Sequence, residues 1–186
     1  MVYPNQSRYS DHFTKYLWSI AYPEYYSKDT VLLRPSDVNN RIWYIRSGLA
    51  KIFHFSEDHR MNKRPVIDCF LADGDFICAV DSFFGKEPNR HYVQLLADSS
   101  LSVITYAQLE ATRKLFPETT QFEREIILGF KQRSDFRSYL LSLPAQLRDE
   151  TFSRLFDTSR LQQQDIVSYL NVSRSHYSRT RSARSS

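Results

Sequence analysis

The sequence predicts an α+β protein built on an antiparallel β-roll, with one helix before the roll, a long helix after it and a helix-turn-helix at the end. Three observations support this prediction. Short segments of strand period follow one another through residues 30–106 without helices between them, which favours an antiparallel roll over a parallel α/β sheet. Residues 117–143 have an extended helical pattern. Residues 161–184 contain two short helical patterns separated by a tight break.

The elements of the roll are predicted from local periodicity. Residues 7–21 carry apolar side chains at spacings of three and four, which predicts an amphipathic helix that ends before Pro23. Ser47 and Gly48 are expected to reverse the chain between two strands. The predicted strand segments are residues 31–34, 42–55, 64–71, 92–96 and 101–106.

The long helix is expected to place acidic residues near its start, as the helix dipole prefers. Its apolar residues are interrupted by the polar stretch at residues 131–135, so the pattern does not distinguish a dimer seam from a helix docked on its own roll. Pro144 is expected to start a further helix that ends near Asp157 and braces the helix-turn-helix.

Composition and charge indicate a globular protein with a basic end. Hydrophobic residues make up 41% of the 186 residues and aromatic residues 15%, so long disordered tracts are not expected. The net charge of +4 is mild, but residues 161–186 contain four Arg and one Asp, with neither Lys nor Glu. A basic terminus suits a polyanionic partner, although solvated tails often have the same composition.

The cysteine pattern and the lack of a long apolar run predict a cytoplasmic protein with no membrane partner. Cys69 and Cys78 lie in apolar surroundings, without a CxxC motif or paired Cys/His spacing. We interpret them as buried free thiols rather than a redox or metal site. No apolar run approaches the ~18 residues that a membrane span needs.

The helix-turn-helix prediction rests on the turn and on the face of the second helix. Asn171 tolerates the left-handed backbone of a tight turn, and Ser173 is a good N-cap. At roughly 100° per residue, Arg174, Ser175 and Arg179 fall within about 140° of one another, whereas Tyr177 points toward the first helix. Such a helix can sit in the DNA major groove, where Arg reads guanine. An ordinary helical hairpin with a solvated tail is the alternative.

This segment resembles the helix-turn-helix of the CRP/FNR family of bacterial transcription regulators. The resemblance implies base contacts by Arg174, Ser175 and Arg179, and we include Ser178 and Arg181 in the predicted DNA-binding set. The matching residues are Gln164, Asp165, Ile166, Tyr169, Leu170, Val172, Ser173, Arg174, Ser178 and Arg179.

The chain departs from the family pattern within and after this motif. The family usually has Gly at the position of Asn171 and an apolar residue at that of Thr180. Family members usually continue into a two-stranded wing, whereas this sequence stops at Ser186. The expected DNA-binding half is therefore minimal, without a wing, or has been trimmed.

The resemblance extends upstream through the roll. Residues 42–53, 71–85 and 101–118 resemble, in the family's order, strands of its cyclic nucleotide-binding-like effector domain, also described as a double-stranded β-helix, and the helix that follows it. It implies an effector domain with the long dimerisation helix at residues 1–143 and a DNA-binding region at residues 144–186. It also implies a homodimer that packs along the long helix.

The same resemblance argues against cAMP or cGMP as the ligand. The family's cassette uses a Glu for the ribose hydroxyl and an Arg followed by Ser or Thr for the cyclic phosphate. Here Ala79 stands at the Glu position, Asp81 would repel a phosphate, and Arg90 is followed by His91. We therefore expect no cofactor. A different small ligand could be lined by Ser82, Phe83, Arg90 and Tyr92, or the pocket could be filled by its own aromatic side chains.

An enzyme is not expected. His54, His59 and His91 show no HxH motif and no suitable acidic partner, so no metal site is predicted, and no catalytic motif is present. The sequence thus predicts a regulator of the CRP/FNR type that binds double-stranded DNA and senses another ligand or none. The alternative is a sensor or interaction module that does not bind DNA.

Overall fold

The computed structural model describes residues 9–57 and 63–182, with side chains up to Arg179. It confirms the predicted α+β class and the antiparallel roll followed by a long helix and a helix-turn-helix. The helices are α1 (Asp11–Ile20), α2 (Val80–Gly85), α3 (Tyr106–Leu115), α4 (Glu118–Ser142), α5 (Ala145–Leu155), α6 (Gln163–Leu170) and α7 (Arg174–Ser182), with a 3-10 turn at Thr158–Arg160. The strands are β1 (Tyr22–Tyr26), β2 (Val31–Leu33), β3 (Arg41–Ser47), β4 (Leu49–Glu57), β5 (Lys63–Ala72), β6 (Phe76–Ile77), β7 (Tyr92–Leu95) and β8 (Ser99–Thr105).

The strands form two four-stranded sheets, in the orders β1-β8-β3-β6 and β2-β7-β4-β5. In the first sheet, Trp43 of β3 lies opposite Val103 of β8 and Ile77 of β6, and both pairs are antiparallel. Strands β3 and β4 follow each other in the chain but belong to different sheets. Ser47 and Gly48 lie where two strands meet, as predicted, but these strands do not pair with each other, because the chain passes here from one sheet to the other.

Strand β1 is an element that the sequence pattern does not predict. Pro23 was expected only to end the preceding helix, yet it lies within β1 and faces Ser102 of β8. Proline lacks the N–H that a central strand needs, but β1 is at the edge of its sheet, where one side of the strand has no partner strand among the described residues. The edge position explains why proline is compatible with a strand here.

Helix α1 covers part of the roll, as its amphipathic pattern predicts. Its N-cap, Ser10, accepts a hydrogen bond from the Phe13 amide at 3.2 Å. The Ser10 amide donates in turn to Glu118 Oε1 of α4 at 2.7 Å. Phe13 and Leu17, 1% and 4% exposed, belong to an apolar core cluster. That core also contains Tyr9, Ile42, Cys78, Phe83, Ile104, Leu109, Phe122 and Ile126.

Helix α4 is continuous through the polar stretch at residues 131–135. Phe122, Ile126 and Leu140 are buried, which fits the predicted apolar positions. Ile127 and Leu128 nevertheless remain 40% and 41% exposed. These two side chains leave an apolar surface on the helix that the resemblance assigns to dimer formation.

The described part of the chain divides into two compact units. One lies within Met1–Ile52 and Phe70–Lys131, and the other within Phe53–Cys69 and Gln132–Ser186. The second unit thus combines parts of β4 and β5 with the end of α4 and all of α5, α6 and α7. This division differs in position from the boundary predicted between residues 143 and 144, which remains a prediction about function. Among the described helices, none is both long and apolar enough to cross a membrane.

Candidate nucleic-acid interface and ligand region

The two last helices are joined by a turn of the predicted kind. Asn171 adopts the left-handed conformation, with φ 49° and ψ 55°, and its amide donates to the carbonyls of Val167 and Ser168. Ser173 Oγ then accepts a hydrogen bond from the His176 amide at 3.1 Å, which caps the start of α7. Both predictions are confirmed. Asn is one of the few residues besides Gly that adopts this backbone at low cost.

Helix α6 supplies the apolar support for α7. Ile166, Tyr169 and Leu170 are between 0% and 4% exposed, and Tyr177 of α7 is 3% exposed. The Tyr169 ring lies 5.0 Å from the ring of Phe152 on α5, measured between centroids. The periodicity of both helices therefore predicted correctly which side of each is buried.

The opposite side of α7 presents hydrogen-bonding and cationic side chains. Arg174, Ser175, Ser178 and Arg179, four of the five predicted DNA-binding residues, are exposed. The fifth, Arg181, lies in α7, but its side chain is outside the described residues. A helix with guanidinium and hydroxyl groups on one side can donate to phosphate oxygens and to base edges.

Three of these side chains already make contacts within the helix-turn-helix, and in one of them Ser175 Oγ lies 3.1 Å from Ser173 Oγ. Arg179 Nε donates to the Ser175 carbonyl at 3.3 Å, one turn earlier in the same helix. Ser178 Oγ accepts from Gln163 Nε2 of α6 at 3.1 Å. Sequence reasoning missed Gln163, whose only signal was its place in the first turn of α6. The Arg179 contact is long enough to be exchanged readily for a stronger partner.

The predicted ligand-binding residues are not equivalent in the structure. Ser82 is 1% exposed, and its Oγ accepts from the Asn39 amide at 2.8 Å and donates to the Asp37 carbonyl at 3.5 Å. Tyr92 is half-buried, and Arg90 is exposed. Ser82 thus fixes a loop of the roll, whereas Arg90 lies at the surface.

Phe83 belongs to the apolar core and is 0% exposed. Its ring lies 4.9 Å from that of Phe84 and 5.3 Å from that of Tyr106. The Lys86 ammonium is 3.0 Å from the centroid of the Tyr106 ring. This packing favours the alternative in which the predicted ligand pocket is filled by the protein's own aromatic side chains.

Helix α2, which the resemblance equates with the phosphate-binding helix of the family, is poorly equipped for a phosphate. It has six residues, its N-cap Ala79 offers no side-chain acceptor or donor, and Asp81 lies in its first turn. A carboxylate there opposes an anionic ligand. That cAMP does not bind through the contacts used in the family stays a prediction.

His54 has an acidic neighbour that the sequence did not reveal. Its Nδ1 lies 2.8 Å from Oδ2 of Asp68, and both side chains are partly exposed. The expectation that His54 lacks a suitable acidic partner is wrong, because β4 and β5 are neighbouring strands and place these residues side by side. His59 lies outside the described residues. A His–Asp pair on neighbouring strands is also a common structural ion pair.

The two cysteines are buried, as predicted: Cys69 is 5% exposed and Cys78 is 2% exposed. Burial raises the pKa of the Cys78 thiol, so it stays protonated and unreactive. We predict that Cys78 in the native protein reacts with a thiol reagent at least about 100-fold more slowly than in urea, because reaction awaits opening of the fold. Mass spectrometry measures the extent of modification. Rapid modification of Cys78 by the reagent, with the far-UV circular dichroism of the protein unchanged, would contradict this burial.

Comparison with known proteins supports the fold. Residues 23–114 match the family described as cyclic nucleotide-binding domain. FixK2 from Bradyrhizobium japonicum is similar over 88% of this chain and 84% of its own, with 18% identity and a TM-score of 0.74. The c-di-GMP responsive global regulator CLP from Xanthomonas campestris is similar over 92% and 89%, with 18% identity and a TM-score of 0.67.

A mutant of CooA from Carboxydothermus hydrogenoformans covers 90% of this chain and 77% of its own, with 16% identity and a TM-score of 0.67. At these identities the likeness establishes the fold rather than the ligand or the DNA site. These similar structures are transcription regulators of the CRP/FNR family. No curated protein sequence matches the chain at a significant level.

Proposed function

Because residues 23–114 match the cyclic nucleotide-binding domain family and the chain has the fold of CRP/FNR-type regulators, we propose that it is a DNA-binding transcription regulator. The observation that carries the proposal is the exposed side of α7. Arg174, Ser175, Ser178 and Arg179 share this helix, which is capped by Ser173 and held on its other side by Tyr177. We propose that α7 enters the major groove of duplex DNA.

The charge of the region supports this role. Residues 161–186 contain four Arg against one Asp. Arginine offers a planar fork of donors that matches guanine O6 and N7 as well as phosphate oxygens. Binding should therefore weaken steeply as salt is raised, because arginines that neutralise phosphates release counterions from the DNA, and this release becomes less favourable at higher salt.

We propose that two copies act together on a two-fold site. Ile127 and Leu128 are large apolar side chains that stay 40% and 41% exposed on α4. Pairing of two chains along this helix would cover them and would present two copies of α7 to half-sites about one helical turn apart. Arg181, on the same helix α7, remains part of the proposed DNA-binding set.

We propose that the roll does not bind cAMP through the contacts used in the family. If it binds a small ligand, that ligand is a different molecule. Ala79 provides no carboxylate for a ribose hydroxyl, and Phe83 is packed into the core. The similar regulator CLP responds to c-di-GMP, so this fold accommodates sensors of other molecules. Arg90 and Tyr92 remain the candidate contacts, since they are the less buried members of the predicted set.

Replacing Arg179 by alanine should cost ~1 to 3 kcal/mol of binding free energy on the preferred duplex and should relax sequence preference at one base pair. The reason is that a bidentate guanidinium distinguishes guanine from the other bases. Fluorescence anisotropy with a set of single-substitution duplexes measures both quantities.

Arg154→Ala is the matched control for this variant. It removes the same charge from α5, where Arg154 is exposed and paired with Glu150 of its own helix. We expect this control to keep the sequence preference. An equal loss on every duplex for Arg179→Ala would instead assign Arg179 to a phosphate. If the unaltered protein does not bind duplex DNA even at low salt, a sensor or interaction module becomes the better interpretation.

A further inference from the structure

Arg148 of α5 binds the ends of two other helices at once. Its Nη2 donates to the Leu141 carbonyl at 3.0 Å and its Nε to the Leu143 carbonyl at 2.9 Å, both at the C-terminal end of α4. Its Nη1 donates to the carbonyls of Leu170 and Asn171, at 3.0 and 3.1 Å, at the C-terminal end of α6. All three guanidinium nitrogens are therefore used, and each bond ends on a main-chain oxygen.

These carbonyls need a donor from elsewhere in the chain. The last carbonyls of a helix have no partner within the helix, and they carry the negative end of its dipole. Neither α4 nor α6 has a basic residue in its last turn. Pro144 follows the end of α4 and has no N–H to donate. Arg148 thus supplies the cation that both helix ends lack.

The contact lies next to α7, the proposed DNA recognition helix. Asn171, whose carbonyl binds Arg148, is three positions before Arg174, the first residue of α7. A second contact joins the same helices, because the Arg137 guanidinium of α4 lies 5.7 Å from the centroid of the Tyr169 ring of α6. These two contacts therefore hold the turn from which α7 begins in a fixed orientation relative to the end of α4.

We infer that Arg148 is a positioning residue, which fixes the direction of α7 relative to the end of the long helix and thereby sets the spacing of the DNA half-sites. The inference rests on the proposed function. In a pair of chains joined along α4, the distance between the two copies of α7 depends on the angle between α7 and the end of α4. If this angle is fixed, the dimer binds best to one half-site spacing. If the angle varies, the dimer binds several spacings with similar affinity.

Lysine cannot replace arginine in this role. Its single ammonium is a compact group that cannot reach four carbonyls arranged around a planar fork. Arg148→Lys keeps the charge and much of the stem, so a change in behaviour reports the geometry of the contact rather than the net charge. Arg154→Lys is the matched control, since Arg154 lies on the same helix, is exposed and pairs with Glu150 of that helix.

The test is binding of the full chain to a series of two-fold duplexes whose half-site spacing changes by single base pairs, and to a duplex with one half-site. The unaltered protein and Arg154→Lys should prefer one spacing. Arg148→Lys should lose about tenfold at that spacing and bind the neighbouring spacings with similar affinity. Its affinity for the single half-site should stay within about twofold of the unaltered protein.

Several results would overturn the inference. If Arg148→Lys keeps the spacing preference of the control, Arg148 does not set the spacing. If Arg148→Lys loses affinity equally on the single half-site and on every spacing, the role of Arg148 is purely structural. Absence of a spacing preference in the unaltered protein would also overturn it. If the unaltered protein binds no duplex, the proposed function fails and the inference fails with it, which is a separate outcome.

A measurement on the unaltered protein covers the case in which Arg148→Lys does not fold. A guanidinium held by four hydrogen bonds should show separate, slowly exchanging side-chain N–H signals in nuclear magnetic resonance spectra, whereas a mobile guanidinium gives averaged signals. Separate signals for Arg148, with averaged signals for Arg174 as an exposed reference, are expected. Averaged signals for Arg148 would overturn the inference.

Discussion

Replacing Gly48 by alanine should lower the free energy of unfolding by about 2 to 6 kcal/mol. Gly48 has φ +146°, a backbone conformation in which a side chain adds ~1 to 3 kcal/mol of strain. A Cβ atom there would lie 2.2 Å from Ser99 Oγ and 2.7 Å from Ser99 Cβ, and overpacking of this kind costs ~1 to 3 kcal/mol more. Urea unfolding followed by circular dichroism measures the change.

Gly85→Ala is the matched control, because an added Cβ at Gly85 meets only Glu87 Cγ, at an ordinary 3.7 Å. We expect that variant to stay within about 1 kcal/mol of the original protein. Ser99→Gly should recover part of the Gly48→Ala loss when the two are combined, since it removes the clashing atoms. If Gly48→Ala is as harmless as Gly85→Ala, the chain does not pass between the two sheets in the way described.

Phe83→Ala should cost about 3 to 5 kcal/mol of stability, the usual cost of removing a buried aromatic ring from a core. Phe83 is 0% exposed and packs against Phe84 and Tyr106. The remaining atoms cannot close the space fully, so the loss includes a cavity as well as lost apolar burial. The same urea titration, with m-values compared between variants, measures the effect.

Leu115→Ala is the control for Phe83→Ala, because Leu115 is 61% exposed in the same unit and should change stability by no more than ~0.5 kcal/mol. The comparison also tests the role of Phe83. A residue that lines an open ligand cavity leaves little new empty space when it is shortened. A loss below about 1 kcal/mol for Phe83→Ala would therefore contradict its place in the core and favour the ligand-binding role.

The helix-turn-helix could be predicted because its signals are local. The left-handed turn at Asn171 and the cap at Ser173 depend on residues within a few positions of one another. The buried side of α6 and α7 follows from helical period alone, and this placed Tyr177 inside and Arg174 outside. The predicted α4 also needed only period and the stop at Pro144.

The path of the roll could not be predicted to the same degree, because partners distant in sequence decide it. Ser47 and Gly48 have the residue types of a hairpin, and the sequence does not show that β3 pairs with β8 while β4 joins another sheet. Pro23 is an ordinary helix stop when read locally. Only the edge position of β1 makes a strand there possible.

The candidate sites divide in the same way. The four described DNA-binding candidates are exposed, as the helical period requires, but the contact of Ser178 with Gln163 is not visible in the sequence. Ser82 and Phe83 follow a family position rather than a local pattern, and their burial depends on the whole roll. The sequence gives no sign of the role of Arg148, because its four acceptors lie at the ends of two other helices.

The most direct test of the central claim, that α7 reads duplex DNA, is binding of the purified protein to a pool of random duplexes. Fluorescence anisotropy across a salt series, with and without cAMP, should show a steep fall in affinity with salt. We predict that selection from the pool recovers a two-fold-symmetric motif and that cAMP leaves the affinity unchanged. Absence of binding at low salt would contradict the claim, and binding without a recovered motif would restrict it to contacts with the phosphate backbone.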